Sequence, residues 1–254
     1  MTKQDLKKLT LYIFLGVFLA FSPLPGGAQT LSSLGIALDP GVLVSHSRSD
    51  NNSSRQNLDS TIVDIKAVDA PALHAENGKV GVGSEQRYGQ GIIIDSAGII
   101  ATNRHIVGNA QHIYVRLSGG KIFEATVLRN SQTDLCLIKI NAPVPLRAIS
   151  LADPSEIQIG INVIAIANAG LNLQRKLGGQ VIKIFKETSS NNVELLEMNI
   201  PLKPGDSGGP VLNVEGSLLG LIMGKKISDP GKSYAIASSR IQQEYFKYRN
   251  SILN

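Results

Sequence analysis

From Thr61 onward the apolar positions gather into short runs separated by turn-forming residues. Six runs come first: Thr61–Ala67, Gly91–Ile94, Ile99–Thr102, His112–Leu117, Phe123–Leu128 and Leu135–Ile140. Six more follow: Val163–Ala167, Val181–Phe185, Val193–Ile200, Val211–Val214, Leu218–Met223 and Tyr234–Ala237. Each has the length of a strand and is too short for an ordinary globular helix. Ser96-Ala97-Gly98, Ser118-Gly119-Gly120, Glu215-Gly216 and Pro230-Gly231 stand between runs as turn residues. The pattern predicts an all-β protein, either a sandwich or barrels. One helix is predicted at the C-terminal end. There Ser239 and Gln242 form a capping-box pair, and Ile241, Tyr245 and Tyr248 recur at helical spacing, giving a face that packs onto the strands.

The N-terminal pattern is different. Lys3, Lys7 and Lys8 precede an uncharged apolar run from Leu9 to Phe21, followed by Pro23, Pro25 and Gly26-Gly27-Ala28. This is the layout of an export signal with a cut after Ala28. The competing reading is an uncleaved anchor, but a span needs about 20 apolar residues and this run stops short of that. The chain is therefore expected to be exported, periplasmic or secreted, with membrane attachment only if residues 1–28 are retained. Residues 29–58 turn polar, and Ser45 to Ser54 carries no apolar periodicity, which predicts a flexible linker. The folded domain is expected over 59–254.

Composition narrows the function classes. Aromatic residues make up 5% and Trp is absent, so the core must be built from Ile, Val, Leu and Ala. Loss of Lys3, Lys7, Lys8 and Asp5 with the leader lowers the formal charge of +5 by two, to about +3, too mild to argue for a nucleic-acid partner. Cys136 is the single cysteine, which excludes an internal disulfide and a cysteine-built metal site. It sits in an alternating strand and reads as a small buried hydrophobe. His46 lies in the linker, and His74 and His112 have no Cys, Asp or Glu at ligand spacing, so surface or structural roles are expected. Neither a metal nor another cofactor is expected.

The chemistry gathers at Pro204-Gly205-Asp206-Ser207-Gly208-Gly209-Pro210, a serine in a glycine-rich turn between two apolar runs. A serine hydroxyl is a weak nucleophile that needs a base within hydrogen-bond reach and N–H donors for the oxyanion it creates. A bare Ser-Gly-Gly would read as a hairpin turn, so the question is whether a base and an acid exist elsewhere in the chain. His105 follows an apolar run, and Asp134 opens the run Leu135–Ile140. The order His, Asp, Ser is that of the chymotrypsin arrangement.

These motifs resemble the HtrA/DegP group of trypsin-like serine proteases. The stretch Gly89 to Val107 looks like that family's histidine motif, Thr133 to Ile140 its aspartate motif and Gly205 to Pro210 its serine motif. Leu151 to Ser155, with Val163, Ala165, Ile166 and Asn168, is similar to its inter-barrel region. The resemblance covers about Thr61 to Tyr248. It implies two six-stranded antiparallel barrels, with Ser207 as nucleophile, His105 as base and Asp134 fixing the imidazole. Gly205 and Ser207 would donate their N–H groups to the oxyanion, and protein or peptide substrates would be the partners.

Several features depart from the family. The chain ends soon after the C-terminal helix, so no PDZ domain is expected. No aromatic residue occurs between Ser22 and Arg87, where HtrA trimers have theirs, so a monomer is expected. Asp206 stands where HtrA proteins have Asn, and a buried carboxylate needs a partner. Lys203, Arg104 or a cation on a surface loop is expected to neutralise it, failing which the oxyanion turn would form only with substrate. Pro201 replaces the acidic residue that trypsin-type enzymes use to bind basic side chains. Ile200, Pro201, Leu202, Ile222 and Met223 are expected to line the primary pocket and favour a small or aliphatic residue. Three other functions stay open: a catalytically silent protease-fold protein that binds peptides, a glutamyl-endopeptidase-like hydrolase, and an anchored envelope structural protein.

Overall fold

The computed structural model describes residues 58–76, 79–168, 174–186 and 193–253. The export signal and all but the last residue of the expected linker, His46 included, lie outside the described residues.

Fourteen strands are described, and all twelve apolar runs fall on barrel strands. The first barrel comprises β1 (Ile62–Val68), β4 (Gln86–Asp95), β5 (Ile99–Asn103), β6 (His112–Arg116), β7 (Ile122–Asn130) and β8 (Leu135–Ile140). They pair antiparallel in the order β1-β4-β5-β8-β7-β6, and β6 closes back on β1 through Ile65 opposite Val115. The second barrel comprises β9 (Asn162–Ala167), β10 (Arg175–Lys186), β11 (Val193–Met198), β12 (Pro210–Leu212), β13 (Leu218–Lys226) and β14 (Asp229–Ala237). Its order is β10-β11-β14-β13-β12-β9, with β9 and β10 closing the ring. Closure leaves no open sheet edge in either ring, and it decides for barrels over a sandwich.

The unbroken apolar runs are strands buried on both faces. In β8, Cys136, Ile138 and Ile140 point into the first barrel's interior, beside Val63, Ile65, Ile93, Ile100 and Val115. Leu135 and Leu137 point the other way. They join Ile92 and Ala101 against Ile166, Leu212, Leu221, Met223 and Ile236 of the second barrel. Side chains alternate faces with period two, so one strand serves two cores and no polar position is left in it but the partly exposed Lys139. The second barrel has its own interior, built from Val163, Ala165, Val181, Leu196, Met198 and Leu219 among others.

The helical segments with described bounds are the four-residue turn α1 (Arg104–Val107), a 3-10 turn (Pro154–Glu156) and α2 (Ser238–Leu253). As the spacing predicts, Ile241 of α2 is fully buried in the cluster between the barrels, and Tyr245 and Tyr248 pack against it. Tyr245 also donates its hydroxyl to Asp95, fastening the helix to β4. A buried glutamate on α2, Glu244, accepts hydrogen bonds from Arg129 of β7 and from Lys247, with Arg240 3.1 Å away. Burial alone would raise its carboxyl, but the bond from Arg129, with Lys247 and Arg240, outweighs burial and holds it below the ordinary carboxylate range. Glu244→Gln is expected to destabilise the fold by about 2 kcal/mol at pH 7. A carboxylate with a lowered folded pKa contributes fully above its unfolded value and loses that contribution as pH falls. The difference from wild type in urea unfolding should therefore shrink as the pH is lowered through and below about 4.

Three features differ from the sequence expectation. A separate two-stranded hairpin, β2 (Ala72–Glu76) with β3 (Lys79–Gly83), stands apart from both rings; its Ala- and Gly-rich sequence offers few of the large apolar residues that mark strands. β10 begins at Arg175, six residues before its apolar run, because pairing with β9 extends it over Arg175–Gln180. The turn expected at Pro230-Gly231 falls instead at 227–228, where Lys226 pairs with Asp229. Pro230 lies within β14 at a register irregularity, where its missing N–H breaks no ladder bond.

Candidate active site

The aspartate motif is built on an unusual backbone. Asp134 has φ 61° and is the one described residue other than glycine with positive φ, a left-handed conformation that a short polar side chain tolerates best. It turns the residue back onto the first turn of α1, where it accepts three hydrogen bonds. Its carbonyl takes the Arg104 N–H at 2.8 Å and its Oδ1 the His105 N–H at 2.9 Å. Its Oδ2 lies 2.7 Å from His105 Nδ1. The side chain that orients the imidazole thus also anchors the short helical turn carrying it, which has no side-chain cap from Asn103. The Asp134 side chain is 2% exposed and that of His105 13%.

The other end of α1 is held by Arg87. Its Nε donates to the Ile106 carbonyl at 3.1 Å and its Nη2 to the Val107 carbonyl at 3.0 Å, satisfying carbonyls left open at a helix C-terminus. Asp69 grips the same guanidinium with both oxygens, at 2.7 and 2.6 Å. The bonded Asp69 partner holds the guanidinium charge and pushes Arg87 above its ordinary value. No sequence signal marks Arg87, because the groups it joins lie 18 to 20 residues away.

The serine turn belongs to the second barrel and docks on the first. The Ser207 carbonyl accepts the Gln90 N–H of β4 at 2.9 Å, and the Gln90 carbonyl in turn accepts the Thr102 hydroxyl at 2.7 Å. Next along β4, Gly89 lies between Ile106 of α1 and the Ser207 carbonyl: a Cβ there would sit 2.3 Å from Ile106 Cδ1 and 3.2 Å from that oxygen. One dipeptide of β4 therefore touches both the helical turn bearing His105 and the loop bearing Ser207. Gly208 makes the close approach possible. Its φ is 84°, and a Cβ would fall 1.8 Å from the Gln90 carbonyl oxygen. The Gly208 N–H donates to the Ile222 carbonyl at 2.9 Å, tying the turn to β13. The Ser207 hydroxyl donates to the Met223 carbonyl at 3.3 Å.

The carboxylate of Asp206 has no solvent exposure, and the structure gives it neither of the two named cations but Arg175, a partly exposed residue at the start of β10. Arg175 Nη2 reaches Oδ1 at 2.6 Å and Oδ2 at 2.7 Å. Lys203 contributes its backbone N–H, 2.7 Å from Oδ2, in place of its ammonium. Arg104 engages Asp134 through its N–H instead. Charge on charge in a hydrogen-bonded geometry meets the requirement that a buried carboxylate be paired.

Of the five residues expected to line a primary pocket, Ile200, Leu202 and Ile222 belong to the second barrel's interior cluster and Met223 to the cluster between the barrels. Ile200 and Ile222 have no exposed surface, Leu202 and Met223 are buried, and Pro201 is exposed. Cys136 is sealed in the first barrel, where burial first and the nearby Asp134 charge second push its thiol up to about 12. It is inert as a nucleophile at neutral pH. His112 pairs with Glu124 at 2.7 Å and stacks on Tyr114. Among the described residues no group of three or more His, Cys, Asp or Glu is placed to hold a metal ion.

Two closed six-stranded barrels with a histidine, an aspartate and a glycine-framed serine along their seam define the trypsin-like class, and comparison with known proteins agrees. The family of trypsin-like peptidase domains matches residues 89–221, and the chain belongs to it. Within that family it is similar to proteases of the HtrA type. The periplasmic serine endoprotease DegP of Escherichia coli is 30% identical over 184 residues, covering 68% of this chain and 39% of that protein. DegP of Salmonella typhimurium is 33% identical over 171 residues, covering 63% and 36%. The chain thus spans little more than a third of the length of these relatives. A solved structure of the HtrA-type protease AlgW with a decapeptide has the same fold, with a TM-score of 0.62 at 18% identity, covering 73% of this chain and 62% of that one.

Proposed function

We propose that the chain is a serine endopeptidase that hydrolyses peptide bonds in exported or envelope proteins. The observation that carries this reading is the two-oxygen clamp of Asp134 on His105, at 2.9 Å to its N–H and 2.7 Å to Nδ1. It stands one helical turn from the strand dipeptide on which the Ser207 loop docks. With Nδ1 donating to the carboxylate, Nε2 is the basic nitrogen of the ring. It takes the Ser207 proton as Oγ attacks the substrate carbonyl, and the hydroxyl gives up its long bond to Met223, an exchange worth about 1 kcal/mol. The oxyanion accepts the N–H groups of Gly205 and Ser207. Gly205 has φ 92°, a conformation open to glycine that brings its amide close with no side chain in the way. His105 then protonates the leaving amine, and water, activated by the same nitrogen, releases the acyl group from Ser207. The names of the DegP relatives, periplasmic serine endoproteases, support both the reaction and the exported substrates.

Pro201, Leu202 and Met223 put no charge at the expected pocket, which favours a small or aliphatic residue before the cut bond. A fluorophosphonate probe and casein digestion test the reading together. Labelling at Ser207 that disappears in His105→Ala, with new C-termini ending in small or aliphatic residues, is the expected result. A folded protein that neither labels nor cuts would instead be a silent peptide-binding relative, and C-termini ending in Glu would indicate a glutamyl endopeptidase.

A further inference from the structure

Among the described residues, the ionic contact to the serine turn is the Arg175–Asp206 pair, a fully buried carboxylate met by a partly exposed guanidinium, and nothing in the reaction described above uses it. We infer that Arg175 is a positioning residue that holds the oxyanion-forming turn, Lys203 to Ser207, in its working shape. The inference rests on the peptidase reading and deepens it.

The geometry supports this in three ways. First, Asp206 is the residue between the two proposed oxyanion donors, Gly205 and Ser207, so the direction of its side chain governs the peptide planes on either side of it. Second, its carboxylate is itself part of the turn. Oδ2 accepts the Lys203 N–H at 2.7 Å, while the Asp206 N–H donates to the Lys203 carbonyl at 3.1 Å and the Gly209 N–H to the Asp206 carbonyl at 3.2 Å. These bonds wrap the turn around one buried negative charge. Third, the neutralising cation comes from a separate strand. Arg175 is the first residue of β10, where it pairs with Ala167 of β9, and its side chain is 30% exposed. The guanidinium therefore reaches in from the surface, with its stem on a strand that the turn does not move.

An unpartnered carboxylate at this depth would rotate toward water. That rotation releases the Lys203 N–H and turns the peptides that carry the oxyanion donors. A cation already resident in the fold prevents it.

The test uses the full chain and four proteins: wild type, Arg175→Met, Arg175→Lys, and Arg175→Met combined with Asp206→Asn. Methionine keeps the apolar stem and removes the charge. Arg175→Met is expected to lower kcat on a peptide substrate by about 10² to 10³-fold, the cost of losing an oxyanion donor, with KM changed by less than about threefold. Arg175→Lys should recover part of the loss. The double variant should regain at least about tenfold over Arg175→Met, because a neutral carboxamide needs no cation. Hydrogen exchange at the Lys203 amide should accelerate at least about tenfold in Arg175→Met. A purely stabilising role predicts instead no recovery in the double variant.

The inference is overturned if Arg175→Met stays within about threefold of wild type, or if the double variant is no faster than Arg175→Met. If Arg175→Met does not fold, the double variant decides: one that folds and cuts supports the charge account, and one that does not overturns it. If wild type itself neither labels nor cuts, the peptidase reading falls, and exchange at Lys203 still decides whether Arg175 holds the turn.

Discussion

Ser207→Ala is expected to reduce kcat for peptide hydrolysis by roughly a millionfold, as when a triad nucleophile is removed, while the fold is kept. The hydroxyl makes one long bond, 3.3 Å to the Met223 carbonyl, and the bonds that shape its turn are backbone bonds from Gly208, Gly209 and Gln90 that alanine preserves. The loss should thus appear in turnover and leave the thermal midpoint within a few degrees of wild type. Titration with a fluorophosphonate on equal amounts of folded protein checks it. Activity within tenfold of wild type would move the nucleophile to another residue and remove the basis of the proposed mechanism.

Asp134→Asn is expected to lower kcat by about 10⁴-fold. The amide oxygen can still accept the His105 N–H, so the helical turn stays in place. At Oδ2, however, an N–H₂ group would face Nδ1, which must then become the accepting nitrogen. The proton moves to Nε2, and the ring can no longer take one from Ser207. The substitution therefore separates holding the histidine from setting its tautomer. Stopped assays at saturating peptide, with unfolding curves alongside, distinguish the two: unchanged stability with collapsed turnover is the expected pattern. A variant that unfolds more easily yet keeps its turnover would mean that Asp134 serves only as an anchor for α1.

The parts of the molecule that could be read from the sequence are those whose signal is local. The two-sided burial of β8 writes itself as Leu-Cys-Leu-Ile-Lys-Ile, and the motifs around His105, Asp134 and Ser207 each occupy a few consecutive residues. Closure was legible only through the family resemblance, because it depends on β6 meeting β1 and β10 meeting β9, pairings that no single run encodes. The first half of β10 was also hidden: Arg175 to Gln180 carries two glycines and two cations, and only the ladder with β9 makes it a strand. The same reason conceals Arg87 and Arg175. Each is an unremarkable surface-type residue until folding brings it to a carboxylate 18 or 31 positions away. A buried acid such as Asp206 announces in the sequence that a cation must exist, but its identity is a tertiary fact.

The backbone bond from Gln90 to Ser207 crosses from one ring of strands to the other, and its strength does not depend on either side chain. Alignment of alcohol with imidazole is therefore a matter of how two rigid cylinders are seated. Slippage of about 1 Å at such a junction is enough to cost a hundredfold in rate. A molecule that grips both cylinders at once would act as a throttle on turnover while leaving the interior of each untouched.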